Sequence, residues 1–276
     1  MRGQCMAGGA AMARSGSEDT LARGSFVRVL RAEALKSRHG APVRLAIVLA
    51  LPFPLLAAFV ALSVPQFGLS YSPWNYWYAL LMPVSITLIA ATVANADARL
   101  GNHTLLSSGV PLHLAWGAKV AWCLALLLLS NLVVFAVYAV MSLVVPQGAA
   151  SMSAMLAVAL ALTVMGSWMI PATHLLTMRV GMLAGVFVPL AVQLALSLGW
   201  SVVPFWPACP PAATIVLPTA FLPVLPSGEP ASPGMALVES ISQGPDVALA
   251  LIVAAVLTAA LTAAGAVWLD RSEELR

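Results

Sequence analysis

Six apolar stretches, each long enough to cross a bilayer, set the strongest limit on what this chain can fold into. They lie near residues 45–64, 75–93, 120–144, 155–173, 181–203 and 247–268. A hydrocarbon core about 30 Å thick takes roughly 20 apolar residues of helix. Backbone polar groups find no water there, so each stretch must satisfy its own hydrogen bonds as a helix. The expectation is an all-α polytopic membrane protein with six transmembrane helices. Only 8% of the residues are charged, against about a quarter in soluble domains. A chain of 276 residues then has no room for a large soluble domain beside the spans.

Orientation follows from where the basic residues fall. With the N-terminus inside, all 13 Lys and Arg lie inside or at an inner membrane edge. The outer loops "PQFGLSYSP", "PQGAAS" and 204–246 hold none. The positive-inside rule therefore places both termini in the cytoplasm. The polar, small-residue run 1–25 is expected to be a disordered cytoplasmic tail, since "MAGGAAMA" is too short for a signal-peptide core.

The densest basic segment is "FVRVLRAEALKSRHG", residues 26–40. At 100° per residue, Phe26, Val27, Leu30 and Ala34 share a face, with Arg28, Arg31 and Arg38 away from it and Leu35 interrupting the polar side. Such a helix lies in the membrane interface and favours an anionic leaflet. Two readings stand: a plain positive-inside anchor, or a connecting helix that also touches a cytoplasmic partner. The second is preferred.

Sites for chemistry are scarce. There is no phosphate-binding G-x-x-x-x-G-K-[ST] loop, no H-E-x-x-H and no G-x-S-x-G. The four histidines show no i, i+4 spacing and the three cysteines no zinc-type spacing. The expectation is no enzyme, no metal and no bound cofactor, and nothing points to nucleic acid. The spans are expected to carry no buried charge; Asp97, Lys119 and Asp270 stand at span ends, where side chains snorkel. Ser130, Asn131 and Gln193 are expected to hydrogen-bond between helices, and Pro83 to kink the second span. Trp74, Trp77, Tyr76 and Tyr78 form an aromatic cluster at the outer end of the second span, and Trp206 follows the fifth. The default reading is an aromatic belt; the alternative is contact with a substrate. The proline-rich loop 204–246 contains "AATIVLPTAFLPVL", expected to re-enter the outer leaflet as short helical pieces. Its acidic residues, Glu229 among them, are read as ordinary loop charge or as weak capture of a cationic ligand.

"YSPWNYWYALLMPVSITLIAATVANADARLGNHTLLSSGVPLHLAWGAK" resembles the second-span region of lantibiotic-immunity ABC transporter permeases, the MutE/EpiE-type group. "RAEALKSRHG", "GSWMIPATHLLTMRVG", "PFWPACPPA" and "FLPVLPSGEP" look like further elements of that group, in consistent order from Phe26 to the C-terminus. The loop "ANADARLGNH" departs from the group's Lys- and Glu-rich pattern, and "LPSG" replaces its "LPNG". The resemblance implies a type 2 ABC exporter membrane domain in a bacterial plasma membrane. It implies a separate ABC ATPase dimer that uses ATP and Mg, a second permease subunit, and a lantibiotic peptide as substrate. Coupling to the ATPase would run through Arg31, Glu33, Lys36, Asp97, Arg99 and Lys119. Trp74, Trp77, Trp206 and Glu229 would face the substrate. The alternatives are an exporter of another amphipathic peptide or lipid, and a non-transporting membrane protein that sequesters the peptide.

Overall fold

The computed structural model describes residues 26–38, 40–98, 111–232, 234–242 and 245–274. Helix α1 covers residues 26–37. Five helices are long and apolar enough to cross a membrane: α2 (Ala41–Ser63), α3 (Ser72–Ala96), α4 (Leu112–Val144), α5 (Met152–Arg179) and, last in the chain, α9 (Asp246–Glu274). Between α5 and α9 come the shorter apolar helix α6 (Met182–Leu198) and two seven-residue helices, α7 (Pro210–Val216) and α8 (Ala236–Ser242). The protein is an all-α multi-pass membrane protein.

Prolines explain where these helices bend. A proline lacks the N–H that bonds four residues back, and its ring crowds that carbonyl. Pro52 answers to Val48, where the first half of α2 stops. Pro83 answers to Ala79, inside a π turn at Trp77–Leu81. Pro171 answers to Ser167, where α5 is interrupted by a two-residue turn. The expected kink at Pro83 is thus a π turn.

Several helices extend beyond their expected limits, α4 and α5 among them. At 1.5 Å per residue the 33 residues of α4 run about 50 Å, well past a 30 Å core. The segment "HLLTMRV" between the fourth and fifth expected spans is helical as far as Arg179 and closes α5, so the turn is only Val180–Gly181.

The helix ends sort into two groups. At one, the basic end, α1 meets the start of α4, and Arg179 of α5 stacks on the Trp268 ring of α9, 4.6 Å from its centroid. At the other, the aromatic end, the α2–α3 turn packs on the α4–α5 turn, with Leu69 N–H donating to Gln147 O at 2.9 Å. Gly68 makes that approach possible. Its φ is +67°, and a side chain there would press into the Gln147 backbone.

The core lies between α2, α3, α4 and α5. Every residue of α7 is buried, as are Leu217 to Thr219 after it. Ala213 and Leu217 pack against Ala161 and Met165 of α5 and Ala250 and Ala254 of α9. The helical pieces at 210–219 are therefore enclosed by protein. Burial is otherwise uneven: 67% of the apolar window of α5 is buried but only 11% of that of α9.

Candidate functional site

Two of the six expected coupling residues, Glu33 and Lys119, meet at one joint at the basic end. Glu33 projects from α1 and Lys119 from the second turn of α4, and Lys119 Nζ donates to Glu33 Oε1 at 2.8 Å. Their side chains are only 6% and 14% exposed, lysine first. This corrects the expectation that the spans hold no buried charge and that Lys119 snorkels. Helix α4 starts at Leu112, eight residues before the expected span, so Lys119 stands inside a helix and under α1. Lys119 closes the sequence "WGAK", and the rest of that motif ties the joint together. Trp116 Nε1 donates to Thr262 O of α9 at 2.9 Å. Its ring lies so close to Gly265 that a methyl group there would collide with it. Gly117 faces Phe26 of α1. One helical turn of α4 thus binds α1 on one side and α9 on the other.

Arg31 and Lys36 are exposed on α1. Arg99 and the side chain of Asp97 lie outside the described residues, as do the expected tail 1–25 and residues 99–110 of the loop. Nearby, Cys123 Sγ lies 3.8 Å from His174 Nε2. Among the described residues, no three of His, Cys, Asp and Glu come together as a metal site would require.

The expected substrate-facing tryptophans are placed differently. Trp74 and Trp77 are 0% exposed, so they form neither an aromatic belt nor an open contact surface. Trp74 stacks within a group of rings, 4.6 Å from Tyr138 and 6.2 Å from Tyr71 between centroids. Trp77 Nε1 donates to Asn131 Oδ1 at 3.1 Å, and Asn131 Nδ2 donates to Thr163 Oγ1 at 3.1 Å. That chain links α3, α4 and α5. Ser130 Oγ donates to Ala46 O of α2 at 2.9 Å, and Gln193 Nε2 reaches both Ser197 Oγ and Pro211 O. The buried polar groups named in the sequence are therefore helix-to-helix ties. Tyr71 Oη accepts from Ala150 N–H at 2.7 Å and donates to Met155 Sδ at 3.5 Å. Burial raises the Tyr71 phenol above its ordinary pKa, and the Ala150 hydrogen bond acts in the opposite direction.

Trp206 is half-buried in a short turn, Trp206–Ala208, beside α9. Glu229 is exposed, and its carbonyl accepts from Leu225 N–H at 2.8 Å. The "LPSG" stretch is a hairpin docked on α3. Asn75 Nδ2 reaches Tyr78 Oη at 2.8 Å and the Leu225 and Pro226 carbonyls at 3.3 and 3.4 Å. Beside it a cleft of about 250 Å³ opens between α3, the end of α6 and α7. Tyr76, Trp200, Asn75, Ser197 and Ser227 line it, with no charged side chain. Trp200 is the aromatic residue that sequence reasoning passed over; its place near the end of the fifth apolar stretch was the available signal.

No family model, curated protein or solved structure matches this chain.

Proposed function

We propose that this chain is the six-span permease subunit of a type 2 ABC exporter in a bacterial plasma membrane, with both termini in the cytoplasm. Five spans are the long helices. The sixth is α6, whose 17 residues rise about 25 Å and are continued by the helical turn Trp200–Val202. A separate ATPase dimer binds and hydrolyses ATP with Mg, and a second permease subunit, a copy or a homologue, completes the pathway. The substrate is a lantibiotic-type peptide, taken from the producer's own membrane and returned outside to give self-immunity.

The observation that carries this reading is the buried Glu33–Lys119 pair. It makes α1 and the base of α4 one mechanical unit, and Trp116 extends that unit to α9. A push on the segment 97–119 from an ATPase therefore reaches three helices at once. ATP drives the change only because the ATPase contact favours one conformation over the other. Helix α1 travels with α4 rather than sliding alone. At the aromatic end the uncharged cleft suits an amphipathic peptide, through Tyr76 and Trp200 rather than the enclosed Trp74 and Trp77.

The test is co-expression with the neighbouring ATPase and any sister permease in a lantibiotic-sensitive Gram-positive host. Inhibitory concentrations are read against a lantibiotic panel, with an ATPase carrying a dead phosphate-loop lysine as control. Protection against one peptide that vanishes with the dead ATPase is the expected result. Protection that survives it means sequestration without transport. Absence of protection against every lantibiotic excludes this substrate class and moves the function to another amphipathic peptide or a lipid.

A further inference from the structure

In the cleft beside Asn75 the polar side chains have already committed their hydrogens. Asn75 directs its amide nitrogen at two carbonyls, Leu225 O and Pro226 O, and at Tyr78 Oη. What it has left for a ligand is its oxygen. Gly228 keeps that oxygen uncovered, since a Cβ there would stand 3.3 Å from it. Ser197 Oγ donates to Pro211 O at 2.8 Å and accepts from Gln193 Nε2 at 2.8 Å. Its hydrogen is spent and a lone pair remains. Ser227, on the docked hairpin, brings a third oxygen, and the rings of Tyr76 and Trp200 complete the lining. Tyr76 is held against Phe53 of α2, with 5.7 Å between ring centroids. We propose that this cleft binds a primary ammonium group presented by a cationic, amphipathic peptide.

Charge agrees with the hydrogen bonding. The stretches 45–96 and 120–173 carry no charged residue. Residues 180–269 include Glu229, Glu239 and Asp246 but no lysine, arginine or histidine. Every residue lining the cleft belongs to the first or the last of these stretches. An anion therefore meets no base here. A cation meets oxygen lone pairs, aromatic faces that attract it, and the exposed Glu229 two residues beyond Ser227. An ammonium also has three hydrogens to donate, which suits three oxygens better than the single hydrogen of an alcohol does.

The edge of the cleft points to an amphipathic bearer. Leu80 of α3 and Leu198 of α6 line it and are 40% and 68% exposed. An apolar segment can rest against these residues in the membrane while its ammonium enters the cleft. The choice of a peptide as bearer rests on the transport reading; the ammonium does not.

The experiment uses the full chain, purified in detergent. Binding of n-butylammonium, n-butanol and butyrate is read by ligand-observed NMR, with a size-exclusion profile confirming that each variant is folded. W200L and Y76L are compared with F205L, which alters an exposed aromatic residue outside the cleft. The expected result is binding of n-butylammonium over both analogues, weakened about fivefold by W200L and reduced by Y76L, with F205L close to wild type. Binding of n-butanol or butyrate as tight as that of n-butylammonium, or equal weakening in all three variants, overturns the site. A leucine–lysine amphipathic peptide should displace n-butylammonium, and its fully acetylated form should not. Equal displacement by the acetylated form overturns the role of the ammonium. Displacement by short-chain phosphatidylethanolamine that equals or exceeds that by the peptide overturns the choice of a peptide. No ATPase is present, so failure of lantibiotic protection in cells and failure of ammonium binding are read separately.

Discussion

Breaking the Glu33–Lys119 pair from one side should cost far more than removing it whole. Lys119→Met leaves the Glu33 carboxylate under α1, where its side chain is only 14% exposed. A buried charge stripped of its partner costs about 3–5 kcal/mol. Glu33→Met leaves the ammonium of Lys119, 6% exposed, in the same position and should cost a similar amount. The double variant, with Met at both positions, removes both charges together. Replacing a buried pair by apolar groups of similar size is often neutral or stabilising. The double variant should therefore recover most of either single loss. At about 2–4 °C per kcal/mol for a chain of this size, each single variant should lose roughly 6–20 °C of unfolding midpoint. The assay is thermal unfolding in one detergent for all four proteins, closed as a double-mutant cycle. Single losses that add in the double variant, with a coupling under about 0.5 kcal/mol, would refute the reasoning, because both charges would then be solvated in the folded protein.

Two further outcomes follow from close packing. Gly265→Leu should drive α9 off the Trp116 ring at a cost of about 1–3 kcal/mol, the range for overpacking; thermal unfolding and a shift in tryptophan emission check it. Asn131→Leu should leave the buried Trp77 Nε1 without its acceptor and cost about 1–3 kcal/mol; adding Trp77→Phe should return part of that loss in the same unfolding assay.

The apolar stretches made the helical membrane architecture readable, because length and hydropathy decide it with little help from tertiary contact. The buried joint was harder to see. Lys119 sits at the edge of an apolar run, and hydropathy alone does not distinguish a lysine that reaches water from one covered by another helix. The spacing of Glu33 on α1 gives no hint of a partner 86 residues away. Trp74 and Trp77 misled for a related reason. Aromatic residues at the end of a span suit either the lipid interface or a core, and the π turn at Trp77–Leu81 alters which face they share. Asn131 and Ser130 were easier, since a polar side chain deep in an apolar run has few acceptors other than a neighbouring helix. The short motifs "WGAK" and "LPSG" were visible as patterns, but their work became clear only from contacts: one fastens three helices, the other docks a hairpin on Asn75.

The enclosure of α7 has a consequence for synthesis. Two of the walls around Ala213 and Leu217 come from α5 and α9. The ribosome makes the first wall long before α7 and the second only afterwards. Until Ala250 and Ala254 emerge, this apolar helix has one side uncovered. The last helix therefore acts as a closing clasp, and chains stopped before residue 246 should be the ones that quality-control proteases recognise.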